Sequence, residues 1–388
     1  MKKKKSYGIR KFINDIHLWL GIGSGIIIFI ICLTGTILVF DTEIKALFAE
    51  DVPLEDTEQP VKSLDELAST ISAEGLGELN SLTISEKSGS FYEARIKTSP
   101  EDRRGTTFLL NPHTAEVFSA PPSSADDFMF SMFRLHRWLL VDTNIGRPIV
   151  GVATIIFLLL SISGLVLWFP KKMKWRNFKP GFKIKTKANW KRINHDLHNT
   201  LGFYSLLLII VMGLTGLCWS FEGYREIAGN VIGAEIFNRG GGATYEQLNL
   251  EAGQEVSLEE VYAITNRELS YTGKTSISFP NERNPVYSVR KYNDASFSPV
   301  IADQLVINKA GTVEDREIYR DKPLNVQVAS LIKPLHVGDI FGTFSKILYF
   351  IACLIATSLP VTGTIIWINK LRKKSRRKKE KKYTKAAA

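Results

Sequence analysis

Six histidines are spread over the chain, and five of them, His17, His136, His195, His198 and His336, stand at the edges of long apolar stretches. Imidazole is the side chain that titrates near neutral pH and, when neutral, it is the commonest metal ligand. The spacing of these five is regular. His17-x-x-Leu20-Gly21 and His198-x-x-Leu201-Gly202 lie 181 residues apart, and so do Leu33-Thr34-Gly35 and Leu214-Thr215-Gly216. Leu135-His136 and Leu335-His336 each precede a later apolar stretch. Two imidazoles from facing helices are the arrangement that grips the iron of a b-type haem from both axial sides. The same nitrogens suit zinc or copper, and a single histidine at a membrane edge is an ordinary headgroup-level residue. His195 sits three residues before His198, where it can stand in for that residue or bond a haem propionate. His113 lies in a polar turn and reads as surface.

The elements that must hold these residues are four uncharged stretches: Leu18 to Phe40, Pro148 to Phe169, Leu201 to Phe221 and Ile347 to Ile368. Each has the roughly 20 apolar residues needed to cross a hydrocarbon core of about 30 Å. Backbone amides in lipid must be satisfied within the segment, so each stretch is expected to be a transmembrane helix. Basic residues set the orientation. Residues 1–11 carry six Lys or Arg, 171–192 carry ten and 370–385 carry eleven, together 27 of the 50 in the chain. These segments are expected on the cytoplasmic side, with both termini. A cationic tail beside a span reads as a headgroup anchor, not as a nucleic-acid surface. The first apolar run is too long for a signal peptide and reads as a retained anchor, which places the chain in a bacterial cytoplasmic membrane.

The resulting division is 1–40 for a basic start and first helix, 41–147 for an outer segment, 148–169 for the second helix and 170–197 for a basic loop. Residues 198–221 form the third helix, 222–346 a second outer segment, 347–368 the fourth helix and 369–388 a basic tail. Each outer segment reads as a helix followed by strands. Ser63-Leu-Asp-Glu and Ser257-Leu-Glu-Glu are capped helix starts. Short alternating or β-branched runs follow around 81–85, 91–96, 107–110, 276–279, 285–289 and 304–307, with turns at Asn111-Pro112-His113-Thr114 and Asn308-Lys309-Ala310-Gly311. The fold expected is an α-helical membrane protein with four transmembrane helices in two repeats and two extracytoplasmic α+β domains. Ser163-Gly164 and Thr362-Gly363 recur near the inner ends of the second and fourth helices, each followed four residues after the glycine by Trp168 or Trp367. Such small pairs let helices approach closely, and their hydroxyls can bond across helices.

Secondary candidates surround the histidines. Arg134, Arg137 and Arg147 flank His136 and suit the carboxylates of a porphyrin; Lys333 lies beside His336. Asp339 is a candidate to orient an imidazole or to cap a turn. Trp19, Trp138 and Phe203 offer apolar walls. Cys32, Cys218 and Cys353 all fall within the apolar stretches and read as small packing residues. Cys-x-x-Cys-His is absent, so no covalent haem attachment is expected. So are a Rossmann glycine pattern, a P-loop and His-Glu-x-x-His.

His17-Leu-Trp-Leu-Gly with Leu-Thr-Gly-Thr, Asp196-Leu-His198-Asn-x-Leu-Gly-Phe-Tyr, Leu-His136-Arg-Trp-Leu and Leu-His336-x-Gly-Asp-Ile-Phe-Gly resemble the PepSY-associated transmembrane family. The outer segments resemble PepSY domains, although Ala115 replaces the usual glycine of the first strand-turn motif. The resemblance implies two b-type haems, one held by His17 and His198 at the cytoplasmic edge and one by His136 and His336 at the outer edge. It also implies an oxidoreductase that passes electrons across the membrane to a ferric siderophore or other ferric chelate, supplied by a cytoplasmic protein or a membrane quinol. A non-enzymatic PepSY protein that binds a partner, or a haem or metal transporter, would fit the same outer segments.

Overall fold

The computed structural model describes residues 8–87, 89–99, 105–237, 245, 255–282 and 284–386. Four helices are long and apolar enough to cross a membrane: Ile9–Leu38, Thr143–Trp168, Trp190–Ser220 and Thr343–Lys373. They are called the first to fourth spans here. The first packs on the second and fourth, and the third on the same two, so the four close into a bundle. Ile28, Cys32, Ile209 and Ala356 are buried at its centre, and the cysteines do serve as small core residues, all three free and buried.

The helices run past the uncharged stretches. The first begins at Ile9 and the third at Trp190, taking charged residues into their opening turns. The fourth continues without a break to Ala386, so the division expected near residue 369 is a change of composition and not of structure. The Arg10 guanidinium donates to the carbonyls of Val166 (3.3 Å), Leu167 (2.6 Å) and Phe169 (2.9 Å). It thereby satisfies acceptors that the end of the second span leaves open, and its charge suits that C-terminus. Within the third span, residues Leu197–Leu201 form a π-turn, flanked by α-helix at Trp190–Asp196 and Gly202–Ser220. A π-turn widens the backbone and re-aims its side chains, and such turns concentrate at functional sites.

Because successive spans reverse direction, both long connections leave from the same end of the bundle, called the sheet end; the other is the basic end. The strands are β1 (Glu78–Ile84), β2 (Tyr92–Lys97), β3 (Thr106–Leu110) and β4 (Val117–Ser119) in the first connection. The second supplies β5 (Thr275–Ser278), β6 (Tyr287–Tyr292), β7 (Ala302–Ile307) and β8 (Val313–Glu317). The sequence suggests two modules, but the strands form one eight-stranded sheet, ordered β4-β3-β2-β1-β5-β6-β7-β8. It joins where β1 and β5 pair antiparallel, Leu82 opposite Ile277 and Thr83 opposite Ser276. Each half would otherwise present an open edge strand, and pairing them removes both edges. Helices Leu64–Ala73 and Leu258–Glu268 cover one face, and Leu67, Ile71, Val261, Ile264, Leu82 and Ile277 belong to a single core.

The two covering helices cap one another. Ser63 and Ser257 accept from the amides of Glu66 and Glu260 in their own helices, as their sequences suggest. In addition, Asp65 accepts from the amides of Leu258 (2.8 Å) and Glu259 (3.2 Å), while Glu259 accepts from the amide of Leu64 (2.7 Å). Each acid thus supplies an anion to the other helix's positive end. Asp65→Ala leaves two first-turn amides without this acceptor and is expected to destabilise the sheet domain by about 1–2 kcal/mol. The measurement is the urea midpoint of the β signal in circular dichroism; a midpoint equal to that of the parent would refute the cross-cap. A second tie between the halves is Lys291. Its side chain is 2 % exposed, and its Nζ bonds Asn266 Oδ1 (2.6 Å) and the Leu269 carbonyl (3.0 Å), with Glu86 of the first half at 3.7 Å. Burial pulls its pKa below the ordinary lysine range, against the opposing pull of Glu86.

Alanine occupies a glycine position in the first strand-turn. Ala115 holds a left-handed conformation, φ +65°, in the turn between β3 and β4, where Gly311 has φ +81° between β7 and β8. A side chain there costs on the order of 1 kcal/mol. His113 donates from its backbone amide to Asn111 Oδ1, and its Nδ1 lies 2.5 Å from the Gln59 carbonyl, which makes it part of the turn.

Candidate functional site

Four of the five histidines at span edges each meet a Ser/Thr-Gly pair on a neighbouring helix. His17 Nδ1 lies 2.9 Å from Ser163 Oγ, and His198 Nδ1 lies 2.9 Å from Thr362 Oγ1. At the sheet end His136 Nδ1 is 3.2 Å from Thr34 Oγ1 and 2.9 Å from the Ile31 carbonyl. His336 Nδ1 is 3.2 Å from Thr215 Oγ1 and 3.0 Å from the Met212 carbonyl. The four hydroxyls have already placed their own protons. Ser163 donates to Leu159, Thr362 to Ser358, Thr34 to Ile30 and Thr215 to Val211, each on its own helix. With those protons so placed, they accept from imidazole. This assigns the proton of a neutral ring to Nδ1 and leaves the Nε2 lone pair free. A ring so held is the usual form of a metal-ligating histidine, its other nitrogen fixed by an oxygen.

The glycine of each pair makes room for the ring edge. A Cβ built on Gly164 would meet His17 Cε1 at 3.4 Å, on Gly363 His198 Cε1 at 3.2 Å, on Gly35 His136 Cε1 at 3.0 Å and on Gly216 His336 Cε1 at 2.8 Å. The sequence marks these pairs as places of close helix approach; what approaches is an imidazole.

The seats bring the histidines together in two pairs. The ring centres of His17 and His198 are 6.4 Å apart with planes at 90°, and those of His136 and His336 are 6.4 Å apart with planes at 49°. Two metal–imidazole bonds of about 2.0–2.1 Å on opposite sides of one atom, with about 1.1 Å from each nitrogen to its ring centre, give about 6.3 Å. The spacing admits one metal atom in each pair. Along the first span His17 and Thr34 are 17 residues apart, so the two pairs stand about 26 Å apart along the helix axis. Among the described residues no group of three or more His, Cys, Asp or Glu is placed to hold a metal ion. Two imidazoles alone suit a metal whose remaining positions come from another ligand, as the four nitrogens of a porphyrin supply.

Space for such a ligand is present at the basic end. His17 and His198 line a cavity of about 910 Å³, at the upper end of the range for small-molecule sites. One and two helical turns above His17 stand Gly21 and Gly25, and one turn above His198 stands Gly202; all three line the cavity, as do Gly164 and Gly363. Absent side chains leave a slot between the rings and the opposite helices. Its wall is aromatic: Phe203 stacks on Trp168 with ring centres 4.0 Å apart at 12°, and both, with Trp367, border the cavity.

A family model described as PepSY-associated TM region matches residues 15–370. The chain belongs to that family. The match encloses all four seated histidines and their Ser/Thr-Gly partners. No curated protein matches the chain.

In this PepSY-associated TM chain the remaining candidates are distributed as follows. His195 borders the basic-end cavity but does not face His17: its side chain is 55 % exposed, and its Nδ1 lies 3.6 Å from Asp196. Asp196 itself is buried between Arg192 (2.8 Å) and the Lys185 amide (3.2 Å), pinning the basic loop to the start of the third span. Trp19 is 66 % exposed and lines none of the cavity that holds His17 and His198; two residues along a helix from His17, it points about 200° away. Trp138 packs on Phe133. The guanidiniums of Arg134 and Arg137 lie over Phe130 (5.8 Å) and Phe133 (5.5 Å) on their own helix. Asp339 does not orient His336, whose Nδ1 is taken by Thr215 and Met212; its carbonyl accepts from the Gly342 amide and closes a turn. Trp219, which sequence reasoning did not single out, lies beside His336 with ring centres 5.1 Å apart. Its only sequence signal is a position four residues after Thr215.

Proposed function

We propose that this protein is a di-haem b electron-transfer protein of a bacterial inner membrane, built from two repeats, that reduces a ferric siderophore or similar ferric chelate outside the cell membrane. One observation carries the reading: four imidazoles, each with Nδ1 tied to a hydroxyl, meet as two pairs spaced for one metal atom each. The recurrence of the motif at an offset of 181 residues supports duplication. The joined half-sheets, each under a helix that begins Ser-Leu-acid-Glu, support a reading of the outer segments as two PepSY-like domains.

His17 with His198, and His136 with His336, would each hold one haem iron. Bound haem would supply reversible one-electron transfer. The protein's own contribution would be two imidazoles for each haem, which favours electron passage over oxygen chemistry. The Ser and Thr hydroxyls would keep Nε2 free of its proton, and Trp168, Phe203 and Trp367 would give the basic-end site apolar walls. The positive-inside rule puts the basic end and both termini in the cytoplasm. With haem held at both pairs, the His17–His198 site would face a cytoplasmic or quinol donor and the His136–His336 site an acceptor beneath the sheet. Reduction of ferric iron weakens its bonds to hard oxygen ligands, and the chelate releases it.

The experiment is the optical spectrum of the purified protein before and after dithionite. The reading expects sharp α and β bands of a low-spin b-type haem on reduction, and a haemochrome content near two per chain. A colourless protein that stays colourless after haem reconstitution would refute it and leave a partner-binding role.

A further inference from the structure

The helices that carry His136 and His336 lie deeper than a soluble domain would. Helix Asp126–Trp138 puts His136 against Thr34, four residues before the end of the first span, about 6 Å below it at 1.5 Å per residue. Helix Ile332–Val337 puts His336 against Thr215, five residues before the end of the third span at Ser220, about 7.5 Å below it. The polar zone between hydrocarbon and water is itself only about 5–8 Å thick on each side. These helices are therefore level with the lipid boundary.

Large apolar residues stand exposed at that level, among polar neighbours such as Glu226 and Asn230. Phe130 is 56 % exposed and Phe133 37 %, one turn from each other on the helix of His136. Helix Glu222–Ile232 leaves the third span after a single residue and exposes Ile227 (65 %) and Val231 (83 %), one turn apart. Its other face is already used, with Ala228 and Ile232 packed against Cys218, Ile236 and Ala329. Helix Asp41–Leu47, which follows the first span, ends in Leu47 at 79 % exposure. Isolated exposed apolar residues need no explanation, but their recurrence on three short helices that adjoin the span ends does. The Arg134 guanidinium over the Phe130 face adds a cation where a phosphate layer would be.

We propose that these short helices are interfacial: Phe130, Phe133, Ile227, Val231 and Leu47 enter the acyl boundary of the leaflet on the sheet side, with Arg134 at the phosphates. The occupant of this face is phospholipid. Amphipathic helices of this kind bury their apolar face about 5–10 Å into the boundary. The sheet domain then sits on the membrane surface along a collar, and the His136–His336 pair lies at the water–lipid boundary beneath it. This inference rests on the membrane assignment and not on the haem.

Spin labelling tests it. Phe130→Cys and Val231→Cys, each carrying a nitroxide, are placed in nanodiscs of phosphatidylethanolamine and phosphatidylglycerol, with Glu93→Cys on the exposed sheet as the aqueous control. Power saturation with oxygen and with a water-soluble nickel chelate gives the depth. The labels at 130 and 231 are expected to show several-fold higher oxygen access and several-fold lower nickel access than the label at 93. Nickel access equal to that at 93 would overturn the proposal, placing the face in water. Dipolar broadening that disappears on dilution with unlabelled protein would also overturn it, since a second copy would then cover the face.

Discussion

Alanine in place of His17 or His198 is expected to cut the haem content by about half, with the sheet-end spectrum intact, and alanine at His136 or His336 to do the converse. Each pair draws one ring from each half of the chain, 181 residues apart at the basic end and 200 at the sheet end. On the proposed reading, loss of one ring would remove one of two ligands, and among the described residues no group of three or more His, Cys, Asp or Glu is placed to hold a metal ion. His195 is the nearest alternative, but it faces Asp196 and solvent. The effect should therefore approach complete loss at the affected site, since even ligand-supporting residues cost 10–100-fold in affinity, as an order of magnitude, when removed. Pyridine haemochrome titration of each variant is the measurement. Unchanged content in any one variant excludes that residue as a ligand.

Gly216→Val is expected to abolish the sheet-end site alone. Even a bare Cβ there comes 2.8 Å from His336 Cε1 and 3.4 Å from its Nδ1. The ring cannot retreat, because Thr215 and the Met212 carbonyl hold its Nδ1 and Trp219 lies beside it. Valine adds two branches to that contact, so His336 must leave its seat. Gly164→Ala is the graded control: its Cβ would meet His17 Cε1 at 3.4 Å, ordinary contact, and basic-end haem is expected to survive. The outcome that sinks the argument is full sheet-end haem in Gly216→Val, read from the haemochrome content and a reductive titration that resolves two components. Retention would mean that the glycine serves helix approach and not the imidazole.

Much of this arrangement is legible along the chain because the signals are local. An uncharged run of about 20 residues must be a helix in lipid, whatever its neighbours. Ser63 and Ser257 cap their helices through amides three residues away, and strands alternate at period two, so these too are written within a few positions. Even the grouping of His17 with His198, and of His136 with His336, follows from counting spans of alternating direction.

The sequence by itself determined the spans, their alternation, the strand and cap positions and the two groups of histidines. Only the tertiary structure decided which ring meets which hydroxyl, because those partners lie 102 to 164 residues apart and are chosen by helix packing. It brought His198, and not His195, against His17, with His198 in a π-turn that the residues do not announce. It turned Trp19 away from the site and joined two expected modules into one sheet through β1 and β5. Periodicity and capping are properties of neighbouring residues; the seats, the cavity and the shared sheet belong to surfaces that exist only once distant segments have packed.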